Sequence, residues 1–289
     1  MGATSCYTIK SKTVRTGKWN FGGSIMLLAI DMGNSNIKIG VVRDEHHIIE
    51  ERVTTARDKT SMEYAMDIIS ILSFHHIERT DIEGAVISSV VPPLTGILET
   101  AVRKVTGKNP LIVTSDLNFH IHFEDMQYPE KIGSDILAGL EAAWLSYQKP
   151  VIVVNMGTAT TITVVRRDGQ YIGGVILPGM KVSLSSLSMN AAQLPFISLE
   201  KPGKIIANET TECMRSGILY GNAAQLDGII ARMEEELGET CAVVATGGLA
   251  RFVVPLCRHR IVLDNGLLMK GLLEIYRENM PDQASGKDL

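Results

Sequence analysis

The chain has 289 residues, a formal net charge of −4, and hydrophobic and charged shares of 45% and 21%. This length suits two domains with a sizeable core, and the composition is that of an ordinary globular protein. The acidic balance without an obvious basic face argues against nucleic acid as the main partner, and no apolar stretch is long enough to span a bilayer.

The N-terminal segment and the cysteines differ in pattern from what a secreted protein would show. Residues 1–25 are polar, basic and aperiodic, and they lack the apolar middle of a secretory signal. We expect them to be a poorly ordered or non-native extension that precedes a fold beginning at Met26. The cysteines form no CxxC pair and have no histidine at zinc spacing, which favours reduced thiols in a cytoplasmic protein. These cysteines are Cys6, Cys213, Cys241 and Cys257.

The first motif is a short apolar run, Met26–Ile30, that ends in Asp31-Met32-Gly33-Asn34-Ser35 and continues as an alternating run, Ile37–Val42. This pattern predicts a strand, a polar turn and a returning strand. Gly33 permits close approach of a ligand to the backbone. Asp31 is placed to hold hydrated Mg²⁺, which prefers a carboxylate together with substrate phosphate oxygens. The hairpin can therefore grip a nucleoside triphosphate, but an ordinary hairpin with local Asx-turn bonds contains the same residues.

The sequence pattern over residues 48–114 predicts five further elements, in the order strand, helix, strand, helix and strand. The helix over 61–74 is expected to be capped by Ser61 and to bury Met62 and Met66. Three antiparallel strands followed by helix, strand, helix and strand are typical of a ribonuclease H-like unit. The predicted elements are 48–53, 61–74, 84–88, 92–105 and 110–114, followed after a polar connection over 117–132 by a helix over 134–147 that is N-capped by Ser134 or Asp135.

Within the polar connection over 117–132, His120 and His122 are expected on the same side of a strand. This placement permits metal binding, but no third ligand accompanies the two histidines.

A second copy of the first motif begins at Val151. The run Val151–Val165 again passes from apolar residues through Asx-Met-Gly and small polar residues into an alternating strand. Repetition at about half the chain length indicates duplication, with domains 26–147 and 148–289 facing each other across a cleft. The turn Gly247-Gly248 is a place where backbone can meet an adenosine. The later predicted elements are strands 170–176, 241–246 and 261–263 and helices 182–191, 211–237 (capped by Asn208 or Thr210) and 266–276.

Several motifs, in the same order, resemble those of one known family, the type III pantothenate kinases. DMGNSNIKIG resembles the family's first phosphate loop, YPEKIGSD its pantothenate loop and NMGTATT its second phosphate loop, and GGVILPG, AAQLP, ETTECMRSGILYG and ATGGLA follow in order. The resemblance covers nearly the whole chain from Met26. The chain also lacks the GxxxxGKS/T loop of P-loop kinases.

The resemblance implies an α/β fold of two ribonuclease H-like domains with mixed five-stranded sheets, arranged as in the actin/acetate and sugar kinase superfamily. It implies ATP-dependent phosphorylation of the primary hydroxyl of pantothenate, the first step of coenzyme A synthesis. It further implies Mg²⁺, a monovalent cation (K⁺ or NH₄⁺), and a homodimer that binds substrate near the subunit interface.

The resemblance also assigns roles to individual residues, with Asp135 as general base. An aspartate with an ordinary pKa of about 3.9 cannot deprotonate an alcohol in the ground state, but it can accept the proton as the bond to phosphorus forms. Asp135 is equally suited to capping a helix. The implied set is Asp31, Met32, Gly33, Asn34, Ser35, Asn36, Ile37, Lys38 and Thr158 for ATP, Tyr128, Gly133, Ser134, Asp135, Ile136 and Thr210 for pantothenate, and Asp31 and Asn155 for metal ions.

Two positions depart from the family pattern. Ile136 stands where the family has an arginine, and isoleucine offers no donor fork for substrate oxygens. Asn155 stands where the family has an aspartate that binds the monovalent cation, so cation affinity is expected to fall. Two alternatives to a pantothenate kinase therefore remain: a non-catalytic homologue that binds a nucleotide or small molecule as a regulator, and a kinase or phosphohydrolase acting on another small substrate.

Overall fold

Two sheets of the same design form the body of the protein. The computed structural model describes residues 25–123 and 125–280, so the predicted extension 1–25 lies outside the described residues except for Ile25, which is buried. The strands are β1 (Leu27–Met32), β2 (Asn36–Val42), β3 (Ile48–Thr54), β4 (Gly84–Ser89), β5 (Leu111–Ile112), β6 (Val151–Met156), β7 (Ala159–Val165), β8 (Tyr171–Pro178), β9 (Ala242–Thr246) and β10 (Val262–Leu263).

The strand orders display the predicted duplication. The first sheet runs β3-β2-β1-β4-β5 and the second runs β8-β7-β6-β9-β10, which is the same order in the same sequence of elements. In each sheet the first three strands are antiparallel, and the two later strands join parallel to the first. The central strands β1 and β6 are buried along almost their whole length, as expected where both faces of a sheet are covered. Each sheet is therefore the mixed, ribonuclease H-like sheet predicted from the sequence.

Seven α-helices lie within the described residues, and they connect and cover these sheets. None of them, within residues 25–123 and 125–280, is both long and apolar enough to cross a membrane. Their bounds are α1 (Ser61–Phe74), α2 (Pro92–Thr106), α3 (Ser134–Tyr147), α4 (Met180–Asn190), α5 (Thr210–Leu237), α6 (Ala250–Val253) and α7 (Leu267–Asn279).

The first helix has the predicted bounds but a different N-cap residue and a different buried face. Thr60, not Ser61, caps α1: its hydroxyl accepts from the Glu63 amide at 3.3 Å, and the Glu63 carboxylate accepts from the Thr60 amide at 2.8 Å. This reciprocal pair is a capping box. The prediction that Met62 and Met66 fill the core was wrong, because their side chains are 56% and 48% exposed.

The long helix α5 also has a cap that the sequence prediction missed. The carboxylate of Glu209 accepts hydrogen bonds from the Thr211 and Glu212 amides at 3.0 and 3.1 Å. A carboxylate at this position satisfies free N–H groups and interacts favourably with the helix dipole. The predicted caps, Asn208 and Thr210, flank it.

Helices α3 and α7 lie between the two sheets. Leu137 and Ala138 of α3 pack with α7 against the first sheet, whereas Leu140 and Ala143 of α3 pack against the second sheet. Because α3 is wedged in this way, its N-terminus reaches the cleft between the sheets. We retain the division into residues 26–147 and 148–289 as a proposal, with α7 as the part of the second segment that packs on the first sheet.

Candidate active site at the cleft between the sheets

A row of polar side chains crosses one face of the first sheet. Asp31 on β1 pairs directly with Ser88 on β4 and with Lys38 on β2, and Lys38 pairs directly with Arg52 on β3. Residues that are directly opposite on neighbouring strands point to the same face. Asp31 and Lys38 are only 8% and 9% exposed. The first sheet therefore holds a buried carboxylate and a buried ammonium at the carboxyl end of its central strand.

The environment of Asp31 disfavours its negative charge. The pKa of Asp31 is raised to about 6, mainly by burial and also by the charge of Asp135, and these effects outweigh Lys38 and a hydrogen bond from Ser88, which lower it. A bound cation stabilises the ionised form of such a buried carboxylate, because its positive charge compensates for the solvation that is lost on burial. The donor chemistry of Asp31 therefore fits Mg²⁺, which one carboxylate and substrate phosphates can hold without an all-protein cage.

A chain of hydroxyl groups joins Asp31 to the start of α3. Ser88 Oγ donates to Asp31 Oδ1 at 3.1 Å and lies 3.0 Å from Ser134 Oγ, so Ser134 donates to Ser88. The Ser89 amide in turn donates to Ser134 Oγ at 2.9 Å. These contacts fix the first turn of α3 against the ends of β1 and β4. Gly133, rather than the predicted Ser134 or Asp135, occupies the N-cap position of this helix.

Asp135 follows in the first turn of α3 and belongs to the same cluster. Its Oδ1 accepts from the Ile136 amide at 3.0 Å. Burial raises the pKa of Asp135, and the bond from the Ile136 amide and the charge of Lys38 partly offset that effect. A carboxylate with a raised pKa is a better proton acceptor than an ordinary aspartate, which is what a general base requires.

Asn155 occupies the position of the second sheet that corresponds to Asp31. Its Nδ2 donates to Asp135 Oδ2 at 3.4 Å, and on its own sheet it pairs directly with Thr246 and Thr161. The Thr246 hydroxyl is fully buried and has no hydrogen-bond partner among the described residues. The Asn155 amide oxygen and the Thr246 hydroxyl are oxygen donors of the kind that a monovalent cation accepts, although neither carries a charge.

The two predicted phosphate turns meet. Ser35 Oγ lies 3.1 Å from Thr158 Oγ1, although 123 positions separate them in the sequence. The first turn is closed by the Gly33 amide, which donates to Asn36 O at 3.0 Å, and the second by the Gly157 amide, which donates to Ala159 O at 3.0 Å. The structure therefore brings together the two glycine turns that the sequence singled out as related.

A third glycine turn lies beside the second one. Gly247 has a φ of +98°, and a Cβ at this position would lie 2.5 Å from the carbonyl oxygen of Met156. Only glycine combines this backbone angle with such close packing. The turn after β9 is therefore held against the end of β6, immediately before the turn at Gly157 and Thr158.

Three residues that the resemblance assigned to pantothenate lie in other surroundings. The Tyr128 ring is half exposed beneath Lys131 Nζ, which is 4.0 Å from the ring centroid. Ile136 packs against the apolar cluster that includes Leu140. Thr210 lines a groove of about 600 Å³ whose lining residues all come from the segment 187–218.

In the histidine pair considered above as a metal site, His120 is hydrogen-bonded to Glu141 of α3. His120 Nδ1 lies 2.7 Å from Glu141 Oε1, and the fully buried Glu141 also accepts from the His120 amide at 3.0 Å. In the part of the chain that the structure describes, no group of three or more histidine, cysteine, aspartate or glutamate residues could hold a metal ion. The hydrogen bonds between His120 and Glu141 therefore hold the connection after β5 against α3.

Sequence reasoning missed Ser88, Arg52 and Thr246. Each is found by pairing register: Ser88 and Arg52 belong to the row that contains Asp31, and Thr246 lies opposite Asn155. For Ser88 and Thr246 the available signal was a polar residue at the carboxyl end of a buried strand, whereas Arg52 is identified only through the register of β3 with β2.

Comparison with known proteins gives concordant results. Residues 27–232 match the family model for type III pantothenate kinase. The chain is 38% identical over 255 residues to the type III pantothenate kinase of Halalkalibacterium halodurans, covering 88% of this chain and 100% of that protein. It is 39% identical over 254 residues to the type III pantothenate kinase of Roseiflexus sp., covering 88% of this chain and 99% of that protein.

The fold has counterparts among solved structures as well. The structure of MreB 5 of Spiroplasma citri bound to AMPPNP is similar with a TM-score of 0.51 and 9% sequence identity, covering 89% of this chain and 97% of that one. At this identity the likeness concerns the fold alone. It agrees with the observed fold of two mixed five-stranded sheets of the same strand order.

Proposed function

The chain belongs to the type III pantothenate kinase family, and from this premise we propose that it transfers the γ-phosphoryl group of ATP to the primary hydroxyl of pantothenate. The product is 4'-phosphopantothenate, and the reaction is the first step of coenzyme A synthesis. The observation that carries the proposal at the site is the meeting of Ser35 and Thr158, whose hydroxyl oxygens are 3.1 Å apart. Each sheet with its helices forms one lobe: the first lobe contains β1–β5 and the second contains β6–β10. Two turns of small residues, one from each lobe, converge and offer backbone N–H groups and hydroxyls to a phosphate chain.

The residues of the cleft supply what phosphoryl transfer requires, which is mainly alignment and charge compensation. We assign Asp31 to hold Mg²⁺, which when bound supplies positive charge to the phosphate oxygens. Lys38 adds a second positive charge beside Asp31, since the two residues pair directly across β1 and β2. In this assignment the first turn, Met32 to Lys38, and Thr158 bind the triphosphate.

Asp135 acts on the substrate hydroxyl. It orients the hydroxyl and accepts its proton as the oxygen–phosphorus bond forms and the bond to the departing ADP breaks. Burial raises the pKa of Asp135, which strengthens it as a base. Gly133 and Ser134 place this carboxylate, because the Ser134 hydroxyl is fixed by the Ser89 amide at 2.9 Å.

We further propose that the protein is a homodimer. Two grooves share Cys213 and Gly217; Leu187 lines one groove, and Ile205 and Ile206 line the other. Large apolar side chains in this region are exposed, and exposed apolar area of this kind marks an interaction surface. A second copy on this face would explain why Thr210 lies in one of these grooves and not among the residues around Asp135. The exposed side chains are Ile176, Val182, Leu187, Met189, Phe196, Ile205 and Ile206.

Replacing Ile206, which is 81% exposed, by glutamate tests this face. We expect Ile206→Glu to sediment as a monomer and to lose pantothenate affinity while retaining ATP affinity, because a charge in the interface leaves the nucleotide turns intact. Phe74→Glu is the matched control, since Phe74 is 75% exposed on α1. A monomeric unsubstituted protein would contradict the dimer, and a dimeric Ile206→Glu variant would contradict this face as its interface.

A change at Asn155 tests the monovalent cation. We expect Asn155→Asp to make turnover depend more strongly on K⁺, because a second carboxylate facing Asp135 repels it unless a cation lies between them. The measurement compares rates in KCl and in tetramethylammonium chloride for both proteins. An unchanged K⁺ dependence would show that position 155 does not bind the cation.

A coupled ADP-release assay with ATP, Mg²⁺ and K⁺, with and without pantothenate, tests the function itself. Pantothenate-dependent ADP release is the expected result. ATP binding without turnover would favour a non-catalytic homologue, a reading that the apolar packing of Ile136 supports because the family's arginine is absent there. ADP release that does not depend on pantothenate would favour another substrate.

We further propose that the chain acts in the cytoplasm. The free thiols of Cys213, Cys241 and Cys257 support this location.

A further inference from the structure

Arg52 reaches from the first lobe to the third glycine turn, in the second lobe. It lies on β3 at the end of the polar row that contains Asp31 and Lys38. A Cβ placed on Gly248 would lie 2.6 Å from Arg52 Nη1, so the guanidinium rests directly against the bare Cα of that glycine. Any larger residue at 248 would displace the Arg52 head group.

This position is on the rim where the nucleotide turns converge. Gly248 follows Gly247, which packs on Met156, and Met156 immediately precedes the turn whose Thr158 contacts Ser35. The guanidinium therefore spans the two lobes beside the turns proposed to bind phosphate.

Most of the hydrogen-bonding capacity of Arg52 is free. Its Nη2 donates to Glu50 Oε1 at 3.3 Å, and no other hydrogen bond from its guanidinium occurs within residues 25–123 and 125–280. The Arg52 side chain is 43% exposed, and a pair of this kind contributes little to stability. A guanidinium held by one long contact retains planar N–H donors that match phosphate oxygens.

We propose that Arg52 binds a phosphate oxygen of the nucleotide, with Gly248 leaving the space that its guanidinium occupies. The proposal rests on the proposed function in that the nucleotide is taken to be ATP. Arg52 would then contribute to closure of the cleft, because a ligand held by β3 of one lobe and by the glycine turns of the other favours their approach.

Displacement titrations with AMPPNP and with adenosine, using Arg52→Gln, test the proposal. We expect AMPPNP affinity to fall by about 10- to 100-fold, the usual effect of losing one charge-assisted hydrogen bond, while adenosine affinity is unchanged. Arg103→Gln is the matched control, because Arg103 also pairs with a glutamate, Glu99, on an exposed surface. Unchanged AMPPNP affinity would overturn the proposal, as would an equal loss for adenosine accompanied by a lower melting temperature, which would indicate a structural brace.

Gly248→Ala provides an independent arm through a double-mutant cycle. We expect this substitution to weaken AMPPNP binding in the unsubstituted protein and to add no further loss in Arg52→Gln, since it acts by displacing the guanidinium. Additive losses would overturn the proposal. The unsubstituted protein also separates the two hypotheses: AMPPNP binding without pantothenate-dependent turnover contradicts the proposed function alone, whereas equal affinity of Arg52→Gln contradicts the role of Arg52 alone. An unsubstituted protein that does not bind AMPPNP would contradict both.

Discussion

Replacing Asp135 by asparagine is expected to lower pantothenate-dependent ADP release by about 10²- to 10⁴-fold, the usual contribution of a general base. The asparagine keeps the shape of the side chain and still accepts the Ile136 amide bond, which is 3.0 Å in the native protein. It cannot accept the proton of the substrate hydroxyl. The affinity for AMPPNP should remain that of the native protein, because the nucleotide turns are untouched.

Two measurements make this result specific. Asp116→Asn, a change of the same kind at an exposed carboxylate after β5, should leave the rate unchanged. Pantothenate titrated into the Asp135→Asn variant by calorimetry should still bind. A variant that retains the native rate would contradict the role of Asp135 as base, and one that loses AMPPNP binding as well would point to a structural role at the start of α3.

Replacing Asp31 by asparagine is expected to stabilise the protein in the absence of ligand and to abolish the Mg²⁺-dependent part of AMPPNP binding. Burial raises the pKa of Asp31 from 3.8 to about 6, so the ionised group disfavours the folded state. Each unit of pKa shift is worth about 1.4 kcal/mol, which gives a gain of up to about 3 kcal/mol at pH 8. The uncharged amide removes that penalty but also removes the cation ligand.

The pH dependence follows from the direction of the shift. The penalty reaches its full value well above pH 6, where Asp31 is ionised in both the folded and the unfolded state, and it vanishes well below pH 3.8, where the group is protonated in both. Urea unfolding without Mg²⁺ should therefore show the stability difference between native protein and Asp31→Asn shrinking as the pH falls from 8 towards 4. A variant that is less stable at pH 8, or one that keeps Mg²⁺-dependent binding, would contradict this account of the site.

The sequence was sufficient to predict the parts of the site that are local along the chain. The two Asx-Met-Gly turns follow buried strands, and their repetition predicted both the duplicated sheets and the meeting of the turns. The acidic start of α3 was also visible, because Ser134 and Asp135 precede a run of helix-forming residues. These features depend on neighbouring residues, whose pattern the sequence displays directly.

The features that depend on register or on competition between adjacent residues could not be predicted. Ser88 and Arg52 join the site only because β4 and β3 pair with β1 and β2 in one register. The cap of α1 was displaced by one residue because Thr60 and Ser61 both offer a hydroxyl, and only Thr60 has a glutamate three residues later. Met62 fits the helical period of the apolar face, but Tyr64 and Ile68 occupy that face instead.

The position of Thr210 was beyond sequence reasoning for a different reason. It lies in a groove formed within the segment 187–218, and under the proposed dimer a second chain would bring it towards Asp135. A pattern within one chain does not specify which residues a partner supplies.

A crystal structure with AMPPNP, Mg²⁺ and pantothenate tests the central claim most directly. The phosphates should lie between the turn at Gly33 to Ser35 and the turn at Gly157 and Thr158, with Mg²⁺ on Asp31 and the substrate hydroxyl on Asp135. Phosphates bound at another surface, with this cleft closed by side chains, would contradict the proposal that two turns from duplicated halves hold the nucleotide.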